Sequence, residues 1–373
     1  MTHVHGDFHL FLDQCYAFDI HLHDITPFRR DFLEPKFLRS SPVRFLTFDL
    51  TMLKPNAKNR LLLCAALLGL AATACGKDTP LPEIHQMAAS LTGNHHFDHV
   101  IMIVLENEDA ITVTKVPYMD SLAKRGVLFR NYYAVAHPSY PNYLALVSGH
   151  TFIGDEEKAK PDPTAYNRRE FGDAQLLIDA PTVADGLQAQ RTSWNAFAED
   201  YPVTDQSPTS CDFTSKSGLY ARKHFPFLSF KGFHDHPELC AHVRNLKWFR
   251  ADSLAAYTFI APNLVHDGHN APLSTAVKWV SGFLNPLLSN PAVMDSTLVV
   301  ITFDESASSA SQTVLGNTKP NIVYTVFVGN MVKGGTTSDV PYSHFNLERT
   351  IETNFGLPSI GPKNTPAIDG VWR

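Results

Sequence analysis

The chain has 373 residues, 44% of them hydrophobic and 18% charged, with a formal net charge of −6 at pH 7. That length and composition can bury one large α/β core or two modest ones. The mild acidity, without any Lys/Arg stripe, argues against a nucleic-acid partner, and neither quantity names a substrate.

Residues 1–51 hold five of the 18 histidines among aromatic and acidic side chains, with no sustained helical or strand period. They read as an extension outside the fold, spurious or disordered. From Met52 the text changes. MLKPNAKNR supplies Lys54, Lys58 and Arg60, the apolar run LLLCAALLGLAATA follows, and Cys75-Gly76 closes it. A basic segment ahead of an apolar run too short to span a bilayer is the pattern of a signal peptide. Small residues leading into a cysteine resemble a bacterial lipoprotein signal. The expectation is therefore translation from Met52, a signal over 52–75, a lipid anchor at Cys75 and a polar linker over 76–95. The exported product would be a periplasmic or outer-membrane lipoprotein, and Gly76 favours the outer membrane. Of the five cysteines, Cys211 and Cys240 alone remain for the exported domain. They read as one disulfide, with two free buried thiols as the alternative.

The folded domain is expected over 96–362, with a tail over 363–373. HVIMIVLENED (99–109) is an apolar strand ending in Glu106 and Asn107, the kind of strand found in a parallel sheet covered on both faces. PYMDSLAKRG has helical period and a glycine stop. VLFRNYYAVA reads as a strand and runs into HPSYPNYLALVSGH, so Ser139 sits at a strand-to-helix turn between Pro138 and Pro141. There the positive end of the helix faces the hydroxyl. Ser139 could then attack a phosphoryl group while Asn142 donates to one of its equatorial oxygens. Taken alone, the same residues describe an N-cap serine.

Residues 155–180 read as a surface loop or lid. TVADGLQAQ is a helix, and SWNAFAED a strand ending in Glu199 and Asp200. The stretch of about 202–250, rich in Phe and His, breaks the alternation and reads as a cap insertion. It carries Arg222, Lys223 and His224. AYTFIAPN (256–263) restores the rhythm as a strand and is followed by HDGHN, with Asp267 and His269. Helix STAVKWVSGFLNPLL leads to strand STLVVITF, which ends in Asp304 and Glu305. After strand NIVYTVFVG, the helix YSHFNLERTIETNFGLP opens with His344. Polar groups thus recur at strand carboxyl ends, where ligands gather in open α/β sheets.

The ordered set LEN, HPSYPNYLALVSG, SWNAFAED, KHFPF, YTFIAPN with DGH, TFDE and YSHFNLERTIETNFGLP resembles the bacterial phosphoesterase family of acid phosphatases and phospholipases C. Its wider kinship is with the alkaline phosphatase superfamily, and it covers nearly everything from residue 96 to about 360. The resemblance implies an α/β fold, a three-layer α/β/α sandwich, with Ser139 as nucleophile. It implies that Glu106, Asn107, Ser139, Asp304 and Glu305 hold a divalent metal ion, and that Asp267, His269 and His344 match the positions of a second. His224 matches a family motif and joins Ser139, Asn142 and His344 as a candidate catalytic residue. Oxygen-rich ligation favours Mg, Ca or Mn, and imidazole would suit Zn or Fe. The implied function is hydrolysis of a small phosphate ester through a phosphoserine. The alternatives are a phosphodiesterase acting on phospholipid head groups and a catalytically silent, surface-anchored binding lipoprotein.

Overall fold

The carboxyl ends of three neighbouring strands decide where chemistry can happen in this chain, and sheet order puts them together. The computed structural model describes residues 8–12, 16–20, 95–155, 158–161, 176–308, 312–314, 317–319 and 321–373. The signal over 52–75 with its anchor at Cys75, the linker up to residue 94 and most of the 155–180 loop lie outside the described residues. Within the first 51 residues, Phe8–Leu12 and Tyr16–Ile20 pair as an antiparallel hairpin, strand structure that no periodicity had signalled. Among the described residues no helix is long and apolar enough to cross a membrane.

Residues 83–373 form one unit built on an eight-stranded sheet. In chain order the strands are β1 (His99–Leu105), β2 (Val127–Phe129), β3 (Trp194–Ala198), β4 (Val243–Asn245), β5 (Tyr257–Ala261), β6 (Thr297–Phe303), β7 (Thr325–Val328) and β8 (Thr336–Ser338). Their spatial order is β4-β3-β5-β1-β6-β7-β2-β8. From β4 to β6 every pairing is parallel, and only β7 runs against its neighbours. β6 is buried at all seven positions and β1 at six of seven, as continuous apolar strands covered on both faces must be.

Among the described residues the longer helices that flank the sheet are α1 (Pro117–Arg125), α2 (Tyr140–Ser148), α3 (Val183–Ala189), α4 (Leu273–Leu288) and α5 (His344–Phe355). α2, α3 and α5 pack on one another, and α1 packs on α4, so the sheet lies between two helical layers. Local chemistry sets the helix ends. Pro117 starts α1 where a missing N–H costs nothing, and Ser343 with Asn346 forms a capping box at the start of α5. α2 stops at Gly149, whose φ is 69°. A Cβ there would stand 2.5 Å from the Gly361 Cα, so only glycine fits.

The 202–250 insertion does more than cover the site. Phe225, Phe227, Leu228 and Phe230 are fully buried in the main core, and β4 extends the sheet by one edge strand. Its ends are joined by a Cys211–Cys240 disulfide with Cα atoms 5.1 Å apart. In the chain-entropy account, closing that 29-residue separation is worth about 3–4 kcal/mol through the unfolded state.

Candidate active site

Register builds the centre. β1 and β6 pair with Leu105 beside Phe303, so Glu106 and Asp304, the next residue on each strand, emerge side by side. The Asp304 N–H donates to the Leu105 carbonyl at 2.9 Å. Asn107 then turns the chain with φ at 32°, a left-handed conformation that asparagine tolerates better than most residues. The turn aims its amide inward: the Asn107 N–H donates to Asp304 Oδ1 at 3.0 Å, and its Nδ2 donates to Glu305 Oε1 at 2.6 Å.

Ser139 enters from the N-terminus of α2. It occupies the N-cap position, but its hydroxyl makes no cap bond. Instead Oγ lies 3.1 Å from Glu106 Oε2 and 3.1 Å from Glu305 Oε1. One hydroxyl proton cannot serve two carboxylates at once, so the cluster must share another proton or a cation. Burial, reinforced by the neighbouring carboxylates, raises Asp304 well above the usual range and raises Glu305 as well. Asp304 Oδ2 is buried without a hydrogen bond.

Behind this ring sits His224, buried, with Nδ1 3.0 Å from Asp267 Oδ2 and Nε2 3.0 Å from Glu106 Oε1. Burial alone would strip its proton. The flanking carboxylates outweigh that and raise it to about 9. The same contact keeps Glu106 below the ordinary carboxylate range despite its burial. Tyr143, one turn into α2, stacks on the His224 ring with centroids 5.1 Å apart. Asp267 is held by its own loop, where Oδ1 accepts from the His269 N–H at 2.7 Å. That loop is pinned in turn by Glu199, which accepts from Asn263 N–H at 3.1 Å and meets His266 Nδ1 at 2.8 Å. Glu199 and Asp200 therefore position the loop rather than face the centre.

Two of the expected residues are engaged within the chain. Asn142 Oδ1 accepts from the N–H groups of Val135 and Ala136 at 2.8 and 3.0 Å, and its Nδ2 donates to the Ala136 carbonyl at 3.0 Å. With these three bonds the side chain fixes the turn before Ser139. His344 Nε2 donates to the Asp304 carbonyl at 2.7 Å, and its Nδ1 faces the Tyr132 hydroxyl at 3.3 Å. Burial lowers its pKa to about 4, so the neutral ring orients the Asp304 backbone with both nitrogens engaged. His269 stands at the rim, its Nδ1 against Asn270 Oδ1 at 2.7 Å, with its ring centroid 5.7 Å from that of His224. One contact went unassigned in the sequence: His137 Nδ1 meets Glu305 Oε2 at 2.6 Å. Its place two residues before Ser139 was the available signal.

Whether a cation fits is answered by the donors. Among the described residues no three His, Cys, Asp or Glu side chains already share a metal-ligand arrangement. Yet Glu106 and Glu305 converge on one hydroxyl, and Asp304, next to Glu305 and tied to the Asn107 N–H, carries an orphaned carboxylate oxygen. Such a hard, oxygen-rich set suits a divalent cation of the Mg, Ca or Mn kind. For a second ion the fit is poorer, because His344 is already engaged on both sides.

A mostly parallel sheet between two helical layers, with a serine on a helix start facing acids from adjacent strand ends, defines a strand-end site of the α/β class. Residues 108–358 match the Phosphoesterase family model, and the chain belongs to that family. It is 32% identical over 272 residues to the phosphate-repressible acid phosphatase of Penicillium chrysogenum, covering 71% of this chain and 60% of that protein. It is 28% identical over 298 residues to the phosphatidylinositol-3-phosphatase of Mycobacterium tuberculosis, covering 78% and 87%. The chain thus spans about three fifths of the Penicillium relative. A solved alkaline phosphatase superfamily protein from Vibrio parahaemolyticus matches at TM-score 0.45 and 12% identity, covering 73% and 71%.

Proposed function

We propose that the protein is a phosphate-ester hydrolase of the acid-phosphatase type, acting on monoesters through a phosphoserine at Ser139. The observation that carries this reading is the Ser139 hydroxyl, poised 3.1 Å from two carboxylates that can take its proton. In the proposed reaction Ser139 Oγ bonds to phosphorus, its proton passes to Glu305, and the ester oxygen leaves with its electron pair. Water then attacks the phosphoserine from the opposite side and breaks the bond between phosphorus and Ser139 Oγ, Glu305 returns its proton to the serine oxygen, and a proton of the water passes through solvent to the departed alkoxide. Glu106, Asn107, Asp304 and Glu305 would hold a divalent ion, which when bound lowers the serine pKa and screens phosphate charge. His224 supports this without touching substrate, because its contacts at 3.0 Å with Glu106 and Asp267 hold both carboxylates in place and keep Glu106 below the ordinary carboxylate range.

Small phosphate esters and phosphorylated lipid head groups both belong to the proposed substrate range, the latter because of the mycobacterial relative's name. Export through residues 52–75 and anchoring at Cys75 belong to the same proposal, and intact-mass analysis of the mature protein from its host would test them. The direct test of function is hydrolysis of p-nitrophenyl phosphate by the wild type and by Ser139→Ala. Turnover should fall by about 10³-fold or more, while the fold persists, because the hydroxyl makes no helix-cap bond and its hydrogen bonding to Glu106 and Glu305 is worth only about 1 kcal/mol. Near-normal hydrolysis by the variant would refute the mechanism.

A further inference from the structure

Beside the centre lies an open cleft of about 640 Å³, within the range that holds small-molecule ligands. Tyr133, Val135, Ala136, His137, Asn321 and Pro341 line it. His137 joins it to the chemistry. The residue lines the cleft, its side chain is 35% exposed, and its Nδ1 is 2.6 Å from Glu305 Oε2. The other oxygen of that carboxylate is 3.1 Å from Ser139 Oγ.

Among the described residues the lining carries no Asp, Glu, Lys or Arg, so a second charged group on a ligand would meet no counter-charge from them. Its other polar side chains are engaged within the chain. Asn321 Oδ1 accepts from the Ser306 N–H at 3.0 Å, and its Nδ2 donates to the Ala136 carbonyl at 2.9 Å. The Tyr133 hydroxyl donates to Asn131 Oδ1. Backbone pairing of Tyr133 with Ser343 and Ile322 fixes the strand that carries its ring. What remains for a ligand is a ring face, a proline, small aliphatic side chains and the second nitrogen of His137.

We propose that this cleft receives the alcohol portion of the ester and selects uncharged, apolar alcohols, aryl esters among them, over small polar ones. The proposal rests on the reading of Ser139 as the nucleophile, since that places the ester oxygen at the cleft mouth. Tyr133 and Pro341 are specificity residues in this account, and neither touches the reacting atoms.

The test compares kcat/KM for 2-naphthyl phosphate and glycerol 3-phosphate in the wild type, Tyr133→Ala and Pro341→Asp. The wild type should favour the naphthyl ester by about tenfold or more, which is about 1.4 kcal/mol, and each variant should lose most of that ratio. A second measurement needs no turnover: calorimetric binding of naphthylphosphonate and methylphosphonate to Ser139→Ala protein, with and without Pro341→Asp. Tighter naphthylphosphonate binding that Pro341→Asp abolishes supports the cleft even if Ser139 proves not to be the nucleophile. An unchanged ester ratio in both variants, or equal binding of the two phosphonates without Pro341→Asp, overturns the proposal.

Discussion

Glu348→Gln should make the protein more stable, and the gain should grow with pH. Glu348 lies on α5, 1% exposed, against Glu352 one turn on. Arg349 Nη1 stands 2.6 Å from Glu352 Oε2, and the Ile360 N–H donates to Glu352 Oε1 at 2.6 Å. Burial, reinforced by Glu352 beside it, raises Glu348 from 4.5 to about 9. Between pH 4.5 and about 9 the folded protein holds a proton that the unfolded chain has released, so this carboxyl costs stability increasingly as pH rises through that window. At pH 7 the 2.5-unit distance from 4.5 corresponds to an upper bound of about 3 kcal/mol. Glutamine has the same shape and cannot ionise in either state. Allowing for imperfect replacement of the carboxyl's contacts, the expected gain at pH 7 is about 1–3 kcal/mol, or roughly 2–4 °C in Tm per kcal/mol. The assay is thermal or urea unfolding of both proteins at pH 5 and pH 8. An E348Q protein destabilised equally at both pH values would refute the reasoning. The position matters to the site, because the pair lies where α5 meets the end of the serine helix: a Cβ at Gly149 would stand 3.1 Å from Glu348 Oε2.

Asn142→Ala removes three hydrogen bonds to the 135–136 backbone, so it should lose about 2–3 kcal/mol as well as activity; unfolding curves identical to wild type would show that the amide is not structural. Asp304→Asn should lower metal affinity on the order of 10–100-fold, so that activity recovers partly in excess Mg²⁺ or Mn²⁺. Wild-type activity that survives exhaustive chelation would contradict the proposed ligand role.

Much of this architecture was legible because its signals are local. The largely apolar, β-branched runs 99–105 and 297–303 read as buried strands, and the acids that follow each run surface at the same sheet edge once the two strands pair in parallel. Side-chain direction was not legible. Asn142 in a serine-proximal motif reads as a substrate donor, but whether its amide faces outward or folds back on residues 135 and 136 depends on a turn whose shape exists only in three dimensions. His344 poses the same problem: its neutral state follows from the depth at which α5 begins. His224, placed in a stretch read as a cap, gained its central position from the burial of Phe225 and Phe227 beside it. β4 could not be foreseen, since three residues, Val243–Asn245, are too few to show a period and become a strand only through pairing with β3.

The account stands or falls on the covalent step at Ser139. Acid-quenching the enzyme during turnover of a phosphomonoester, followed by peptide mapping, should find one phosphoryl group on the peptide containing Ser139 and none in Ser139→Ala. Steady turnover with no trapped phosphoserine at any quench time, or a phosphoryl group on a different residue, would contradict it.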